Sequence, residues 1–229
     1  MPMKGDGSTH LREIDRFDGG VGWIAYPDET MQRASHALQT DNGLWLVDPV
    51  DADGLDDLLA EFGEVAGVVV CLDRHKRDAA AIARRHDVAV HIPRWMTGVA
   101  GEIDAPVERA AGELGDSGYE LFRIMDSSIP PWQEAGLYNA ETGTLVVPES
   151  VGAADYFLAD GEPLGVHPML RLTPPRAALS GYSPERILVG HGEGVLTDAA
   201  AALDEALSSS KATAVSLYGK TVRQFITGS

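Results

Sequence analysis

The sequence predicts an α/β fold, because segments with the periodicity of strands and of helices alternate along it. After a strand over 43–47, residues 53–62 repeat apolar side chains at the i, i+3, i+4 and i+7 spacing of a helix lying on a sheet. Residues 65–72 are apolar without alternation, which is typical of a strand buried on both faces. A helix over 78–86 and a strand over 88–92 follow. This β-α-β-α-β order indicates a sheet partly covered by helices.

The segment before this run predicts edge strands over 22–26 and 34–38. The strand over 43–47 is then the return of a hairpin. The Asp48-Pro49 pair ends that strand, because proline has no N–H to donate to a sheet.

The second half of the chain repeats this style without obvious sequence repetition. Residues 141–143 predict a hairpin turn. Thr197 is expected to open a helix with Asp198 in its first turn, where the backbone dipole favours an acidic group. A final helix is predicted over 212–226, and the residues along its apolar stripe are Val215, Tyr218, Val222 and Phe225. The strands predicted in this half are 119–125, 135–138, 144–147 and 187–189.

Acidic side chains dominate the charge of the chain. Its 229 residues include 35 Asp and Glu but only 18 Lys and Arg, for a formal net charge of −17. Only four of the basic residues are Lys, and 20 Asp exceed 15 Glu. This pattern resembles the surface of a halophilic protein, and its negative charge repels DNA, RNA and anionic membranes. We therefore expect neither nucleic-acid nor membrane partners.

Length and composition predict a single domain over residues 1–229. Apolar residues make up 44% of the chain, enough to bury a full core, and no linker-like stretch divides it. The one cysteine, Cys71, excludes an internal disulfide and is expected to be a small core residue rather than a catalytic thiol. The N-terminus lacks the apolar stretch of a signal peptide, and no run reaches the roughly 20 apolar residues of a membrane span. A cytoplasmic location is expected.

Two short loops, each after an apolar run, concentrate the residues that can carry chemistry. The first reads Cys71-Leu72-Asp73-Arg74-His75-Lys76-Arg77-Asp78, and the second reads Ile187-Leu188-Val189-Gly190-His191-Gly192. They resemble the two ends of a metallo-β-lactamase-type site. The first stands where that family places two His in alternation followed by an Asp-His pair, and the second resembles its closing strand-Gly-His-Gly turn.

The resemblance implies the family's four-layer αββα sandwich, in which two β-rich halves each carry helices. It covers roughly residues 20–205, a length typical of one domain. The tail beyond it is expected to be a packing helix.

The family motif is only partly present in the first loop. Its first His is replaced by Asp73, and its second is retained as His75. Its Asp is replaced by Arg77, and its last His by Asp78.

The other family positions are also mixed. The closing His is retained as His191, and Asp48 matches an acidic position that supports the site. Glu149 is the only substitute for the bridging Asp, and residues 126–131 lack the further His of the family.

The resemblance implies a reduced metal site. The family's two metal ions lower the pKa of a bridging water. The residues left to bind metal here are Asp73, His75, Asp78 and His191, with Glu149 in reserve. Such carboxylate and imidazole groups suit one Zn, Mn or Fe ion.

Three cations lie among those ligands: Arg74, Lys76 and Arg77. Their charge opposes a divalent ion unless their side chains point away. They also crowd the predicted N-terminus of the second helix, where the backbone favours anions. A small anion site is therefore an alternative, although a solvated face paired with Asp residues is the simpler interpretation.

Structural roles compete with site roles for several side chains. His75 is a ligand or buttresses its loop through Asp73 or Asp78, and His191 lies in a turn that is expected to expose it. Trp95 and Trp132 either wall a pocket or plug the core. His167-Pro168 marks only a loop break. The histidines for which packing or surface roles are expected are His36, His86 and His91.

Two function classes remain open. The first is a metal-dependent hydrolase of an ester, thioester or amide. The second is a non-catalytic relative that has lost its metals and binds a small anionic ligand or a partner protein. A small-molecule ligand is expected in the first case, and the stripe of the last helix would suit a homodimer contact.

Overall fold

The computed structural model describes residues 3–5 and 9–227, with side chains described up to residue 219. Seven strands form a first sheet in chain order. The first four pair antiparallel and the remaining pairs are parallel. The strands are β1 (Arg12–Phe17), β2 (Gly20–Ile24), β3 (Ala34–Thr40), β4 (Gly43–Val47), β5 (Val65–Val69), β6 (Val90–Pro93) and β7 (Val107–Ala110).

A second sheet of five strands and a separate strand pair follow. In chain order the strands are β8 (Gly112–Glu113), β9 (Glu120–Ser128), β10 (Pro131–Asn139), β11 (Thr144–Val147), β12 (Val151–Gly152), β13 (Gly165–Val166) and β14 (Arg186–Val189). The second sheet has the order β14-β11-β10-β9-β8, and β12 pairs with β13. Only β11 and β14 pair in parallel within this sheet.

Four α-helices and two short 3-10 helices complete the fold of the described residues. The α-helices are α1 (Leu55–Ala60), α2 (Ala79–Arg85), α3 (Arg176–Leu179) and α4 (Ala199–Thr227), and the 3-10 helices are Val99–Glu102 and Pro168–Leu170. In the described part of the chain, none of these helices is long and apolar enough to span a membrane.

The strands β11 and β14 of the second sheet are apolar and buried on both faces. Val146 and Leu188 belong to the core shared with the first sheet and with α1 and α2. Their neighbours Leu145 and Ile187 belong to a second core that includes residues of α4. Because successive side chains of a strand point to opposite faces, this alternation produces the predicted order of helix, sheet, sheet and helix.

Two predicted strands are not at an edge. The segments predicted over 22–26 and 34–38 correspond to β2 and β3, which lie inside the first sheet between β1 and β4. The edge strands of this sheet are β1 and β7. The sequence pattern did not predict them, nor the short strands β8, β12 and β13. All five residues of β2 are buried, because both faces of this sheet are covered.

The last two predicted helices form one helix. α4 runs from Ala199 to Thr227 without a break, so the helices expected to open at Thr197 and over 212–226 merge. In its serine-rich centre, the hydroxyls of Ser208 and Ser209 donate back to the Glu205 carbonyl of the same helix.

In the described part of the C-terminal stripe, Val215 has no packing partner in either core cluster, whereas the Tyr218 hydroxyl donates to the Pro168 carbonyl at 2.8 Å. Val215 is 80% exposed and Tyr218 is 41% exposed, whereas Ala214 and Leu217 face inward. Val222 and Phe225 lie outside the described side chains. The homodimer contact stays a prediction.

A buried ion pair beside the second 3-10 helix is hydrogen-bonded to α4. Arg171 is fully buried. Its Nη2 lies 2.5 Å from Glu162 Oε2, and its Nη1 donates to the Thr213 hydroxyl at 2.6 Å. The guanidinium thus joins the 3-10 region to the middle of α4.

Replacing Arg171 by Leu is expected to lower the free energy of unfolding by about 3–5 kcal/mol, because Glu162 keeps a buried and unbalanced charge. Urea unfolding at neutral pH measures it. The matched control is Arg84→Leu, which removes an exposed pair with Asp104 and should cost at most about 1 kcal/mol. Equal losses in the two variants would contradict this role of Arg171.

Candidate metal centre

The first loop is held against the second sheet by backbone hydrogen bonds. Leu72 bridges to Glu134 of β10. The Asp73 N–H donates to the Gln133 carbonyl at 3.0 Å, and the Ala135 N–H donates to the Cys71 carbonyl at 2.8 Å. These bonds bring the loop after β5 to the place where the two sheets meet.

Cys71 is buried, as predicted. Burial, with the nearby charges of Asp48 and Glu134, raises the pKa of its thiol well above the ordinary value. Cys71 is therefore a core residue.

Asp48, at the end of β4, orients His75. Its Oδ1 accepts from the Cys71 N–H at 2.7 Å, and its Oδ2 lies 2.9 Å from His75 Nδ1. Because a carboxylate only accepts, the His75 Nδ1 carries a hydrogen and donates it to Asp48, and Nε2 faces the site. The buttress expected from Asp73 or Asp78 is supplied by Asp48 instead.

His191 follows β14 in a turn that requires glycine. A Cβ at Gly190 would collide with the Pro148 carbonyl, and Gly192 has a φ of +85°. The His191 Nδ1 donates to the Met31 carbonyl at 2.8 Å. The expectation that this turn exposes the ring is wrong: His191 is buried, because the 31–34 segment pairs with it through an Arg33 bridge.

Glu149 lies directly after β11 and is held by another carboxylate. The N–H groups of Glu149 and Ser150 donate to Glu134 Oε1 at 2.9 and 2.8 Å. Glu134 is fully buried and also accepts from the Trp132 indole N–H at 2.8 Å and from the Ser150 hydroxyl. Burial raises the pKa of Glu134, and these donors oppose the rise.

His75, Glu149 and His191 form one buried cluster. Glu149 Oε2 lies 3.3 Å from His75 Nε2 and 4.0 Å from His191 Nε2. The three ligand atoms lie within 4.8 Å of one another. The residues are 5%, 6% and 3% exposed in chain order.

The charges of the cluster favour an ionised carboxylate and a neutral His191. Burial alone would raise the pKa of Glu149, but the hydrogen bond and charge of His75, with the charges of His191 and Arg74, hold it well below its usual range. Burial and the positive charges of His75 and Arg77 lower the pKa of His191 strongly. The buried His191 Nε2 has no hydrogen-bond partner among the residues that the structure describes.

Arg77 is enclosed beside this cluster. Its Nη1 donates to the carbonyls of Ala34 and Asp48 at 2.5 and 2.8 Å, and its Nη2 donates to the Gly190 carbonyl at 3.1 Å. Nη2 also lies 3.5 Å from His75 Nε2. Burial lowers the pKa of Arg77 to about 10, so the guanidinium is charged at neutral pH and joins three strand ends.

The backbone at this place is strained. Asp48 and Arg77 have φ values of +45° and +41°, which cost on the order of 1–2 kcal/mol for a side-chain-bearing residue. Strain of this kind persists where the surroundings impose it and clusters at functional sites.

The other two cations of the first loop are paired at the surface. Arg74 Nε lies 3.2 Å from Glu149 Oε2, and its guanidinium stacks over the Trp132 ring at 4.2 Å. Lys76 lies 3.0 Å from Glu102 and also donates to the Asp73 carbonyl. Of the three expected anion-binding residues, only Arg74 is both exposed and beside the cluster.

The structure does not bring Asp73 and Asp78 into the cluster of His75, Glu149 and His191. Asp73 Oδ2 accepts from the Gln133 N–H at 3.1 Å, and Asp78 Oδ2 accepts from the Asp51 N–H at 2.9 Å. Each carboxylate is therefore used to hold a neighbouring loop, and Glu149, the reserve, takes the central place.

His167 contacts the site, although its sequence context, before Pro168, predicted only a loop break. Its Nε2 lies 3.5 Å from Glu149 Oε1, and its ring meets that of Trp132 edge-on at 4.9 Å. Burial lowers the pKa of His167 to about 4. No motif spacing links His167 to the two loops, so only the fold reveals this contact.

The remaining predicted aromatic and histidine roles are structural. Trp132 is buried between Arg74 and His167, and so is both a wall of the site and part of the core. Trp95 is half-buried under Arg123. Packing or surface contacts are made by His36 with Asp15, by His86 with Asp56 and by His91 with Trp45.

Solved structures share this architecture. The structure of the metallo-β-lactamase DIM-1 exposed to ceftazidime matches 92% of this chain and 99% of its own, with a TM-score of 0.62 and 14% identity. A metallo-β-lactamase from Pontibacter korlensis matches 88% of this chain and 99% of its own, with a TM-score of 0.61 and 14% identity. The chain has the metallo-β-lactamase fold.

The metallo-β-lactamase fold predicted from the two loops is thereby confirmed. A mutant flavo di-iron protein from Thermotoga maritima also matches, over 90% of this chain and 63% of its own, with a TM-score of 0.62 and 12% identity. No protein-family model and no curated protein matches the sequence. Function must therefore be argued from the site, since one fold supports many activities.

Replacing Arg77 by Met should lower the free energy of unfolding of the metal-free protein by about 3 kcal/mol, because buried carbonyls lose their donors. Urea unfolding in EDTA measures this. The control Lys76→Met removes a surface pair and should cost at most about 1 kcal/mol. If Arg77→Met cost no more than Lys76→Met, the bonds of Arg77 to the three strand ends would not stabilise the fold.

Proposed function

We propose that the protein binds one divalent metal ion through His75, Glu149 and His191 and uses it to hydrolyse an ester, thioester or amide. The observation that carries the proposal is His191 Nε2, a buried atom without a hydrogen-bond partner among the described residues. It faces the Nε2 of His75 and a carboxylate oxygen of Glu149. A buried unsatisfied polar atom needs a physical explanation, and a bound ion provides one.

The donor set fits such an ion. Both imidazoles use Nδ1 as a donor, to Asp48 and to the Met31 carbonyl. Hydrogen bonds of this type fix the tautomer and ring orientation of metal-binding histidines. Two imidazoles and one carboxylate hold catalytic zinc with a position left open, and they also suit iron. Zn, Mn and Fe therefore remain the proposed metals.

The chain's residues divide the catalytic work. When bound, a divalent ion supplies Lewis acidity that lowers the pKa of a coordinated water toward neutrality. Asp48 holds the imidazole of His75. Arg77 donates to the carbonyls of Asp48 and Gly190, and so supports the backbone at Asp48 and directly before His191. Arg74 is 39% exposed along its side chain and offers a charged donor to a substrate oxygen. This combination of water activation and an oxygen-binding cation supports the proposed acyl substrate.

A metal-free binding protein is the second candidate, and the contact of Arg74 with Glu149 favours it. Arg74 Nε lies 3.2 Å from Oε2, the oxygen that faces both histidines. A guanidinium and a divalent ion would compete for this oxygen. If the guanidinium prevails, Arg74 and Arg77 balance the carboxylate, and the fold binds a small anionic ligand or a partner protein.

Metal titration separates the two candidates. Purified in molar KCl without chelator, the chain is expected to bind one Zn(II), Mn(II) or Fe(II) ion, and elemental analysis after equilibrium dialysis measures the ratio. Glu149→Gln and His191→Ala should each weaken binding more than about 100-fold, since loss of a ligand exceeds loss of an outer partner. His91→Gln, a histidine packed on Trp45, is the control.

The same samples test hydrolysis. The metal-loaded chain should hydrolyse a nitrophenyl ester or an acyl thioester, and His191→Ala should not. A wild-type chain that binds none of the three metals would overturn the hydrolase and favour the metal-free binding protein.

Arg74→Gln is expected to strengthen metal binding by on the order of tenfold, because a charge-assisted bond worth about 1.5 kcal/mol no longer competes for Glu149. Isothermal titration measures the dissociation constant. Arg123→Gln, which removes an exposed arginine stacked on Trp95, should leave it unchanged. Unchanged or weaker binding in Arg74→Gln would show that Arg74 does not compete.

A further inference from the structure

We infer that His167 is a positioning residue for this centre: its ring holds Glu149 Oε1, so that Oε2 faces His75 and His191. The inference rests on the proposed metal site and assigns a role to a residue outside both loops.

The two oxygens of Glu149 have separate surroundings. Oε1 lies 3.5 Å from His167 Nε2. Oε2 lies 3.3 Å from His75 Nε2 and 4.0 Å from His191 Nε2. When the two oxygens of a carboxylate face different partners, rotation about the Cγ–Cδ bond is restricted. One oxygen, Oε2, is therefore presented to the metal position.

The tautomer of His167 supports this role. The Met169 N–H donates to His167 Nδ1 at 3.2 Å, so Nδ1 carries the lone pair and the hydrogen of a neutral ring lies on Nε2. The polar Nε2–H group of His167 therefore lies 3.5 Å from the negative Oε1 and attracts this oxygen electrostatically. His75 and His191 instead use Nδ1 as the donor to the protein, to Asp48 and to the Met31 carbonyl. The Nε2 atoms of these two rings therefore face the metal position, whereas the Nε2 of His167 faces Oε1.

Packing keeps the His167 ring in place. Its backbone N–H donates to the Ser150 carbonyl at 3.0 Å, next to Glu149 in the chain. Rings of Trp132 and Phe157 lie edge-on at centroid distances of 4.9 and 5.3 Å. Phe157 also stacks on His191 at 5.3 Å. One aromatic wall therefore supports the ligand and the residue that orients Glu149.

The test compares His167→Leu with His167→Gln. Leu removes the donor, whereas the Gln amide places an N–H at about the same reach. His167→Leu is expected to weaken Zn(II) binding about 10- to 100-fold, as for other partners of ligating carboxylates, and His167→Gln is expected to recover most of this loss. In Co(II)-loaded protein the visible absorption bands should shift in the Leu variant and return toward wild type in the Gln variant.

Urea unfolding of the metal-free variants separates positioning from folding, and His91→Gln controls for loss of a packed imidazole. Wild-type affinity and spectrum in a folded His167→Leu variant would overturn the inference and leave the proposed metal site standing. If the Leu variant does not fold, retained affinity in His167→Gln supports the inference, and a loss of about 10-fold or more overturns it. Absence of metal binding by the wild-type chain would overturn both the inference and the proposed function.

Discussion

The buried, ionised carboxylate of Glu149 is the constraint on which the site depends. A charge removed from water costs several kcal/mol unless it is paired and hydrogen-bonded. Here His75 and Arg74 approach one oxygen and His167 approaches the other. Glu134 holds the backbone that delivers the side chain. Loops at the strand ends of both sheets therefore surround the Glu149 carboxylate, and His75 and His191 approach the same oxygen of it.

Positive charge beside this carboxylate has two opposed effects. Burial and the guanidinium of Arg77 lower the pKa of His191, and a metal can bind only the neutral imidazole. The same cation, together with Arg74, repels a divalent ion. We propose a single metal for two reasons. Arg77, held by three carbonyls, occupies the space beside His75. Among the described residues, one set of ligand atoms converges.

The sequence predicted the parts of the fold that depend on local pattern. α1, α2, β11 and β14 lie close to their predicted places because apolar periodicity and burial coincide there. The retained His75 and His191 were found because each follows a buried strand. The directions of Asp73 and Asp78 were not predictable, since hydrogen bonds from Gln133 and Asp51, which are remote in sequence, set them. His167 carried no local signal, because the fold alone brings it to Glu149.

The most direct test of the central claim is a crystal structure of the metal-soaked protein with anomalous data at the metal absorption edge. One anomalous peak, bonded to His75 Nε2, His191 Nε2 and a Glu149 oxygen at about 2.0–2.2 Å for zinc, is the predicted result. Density for the Arg74 guanidinium on Glu149, with no anomalous peak among the three residues, would contradict it.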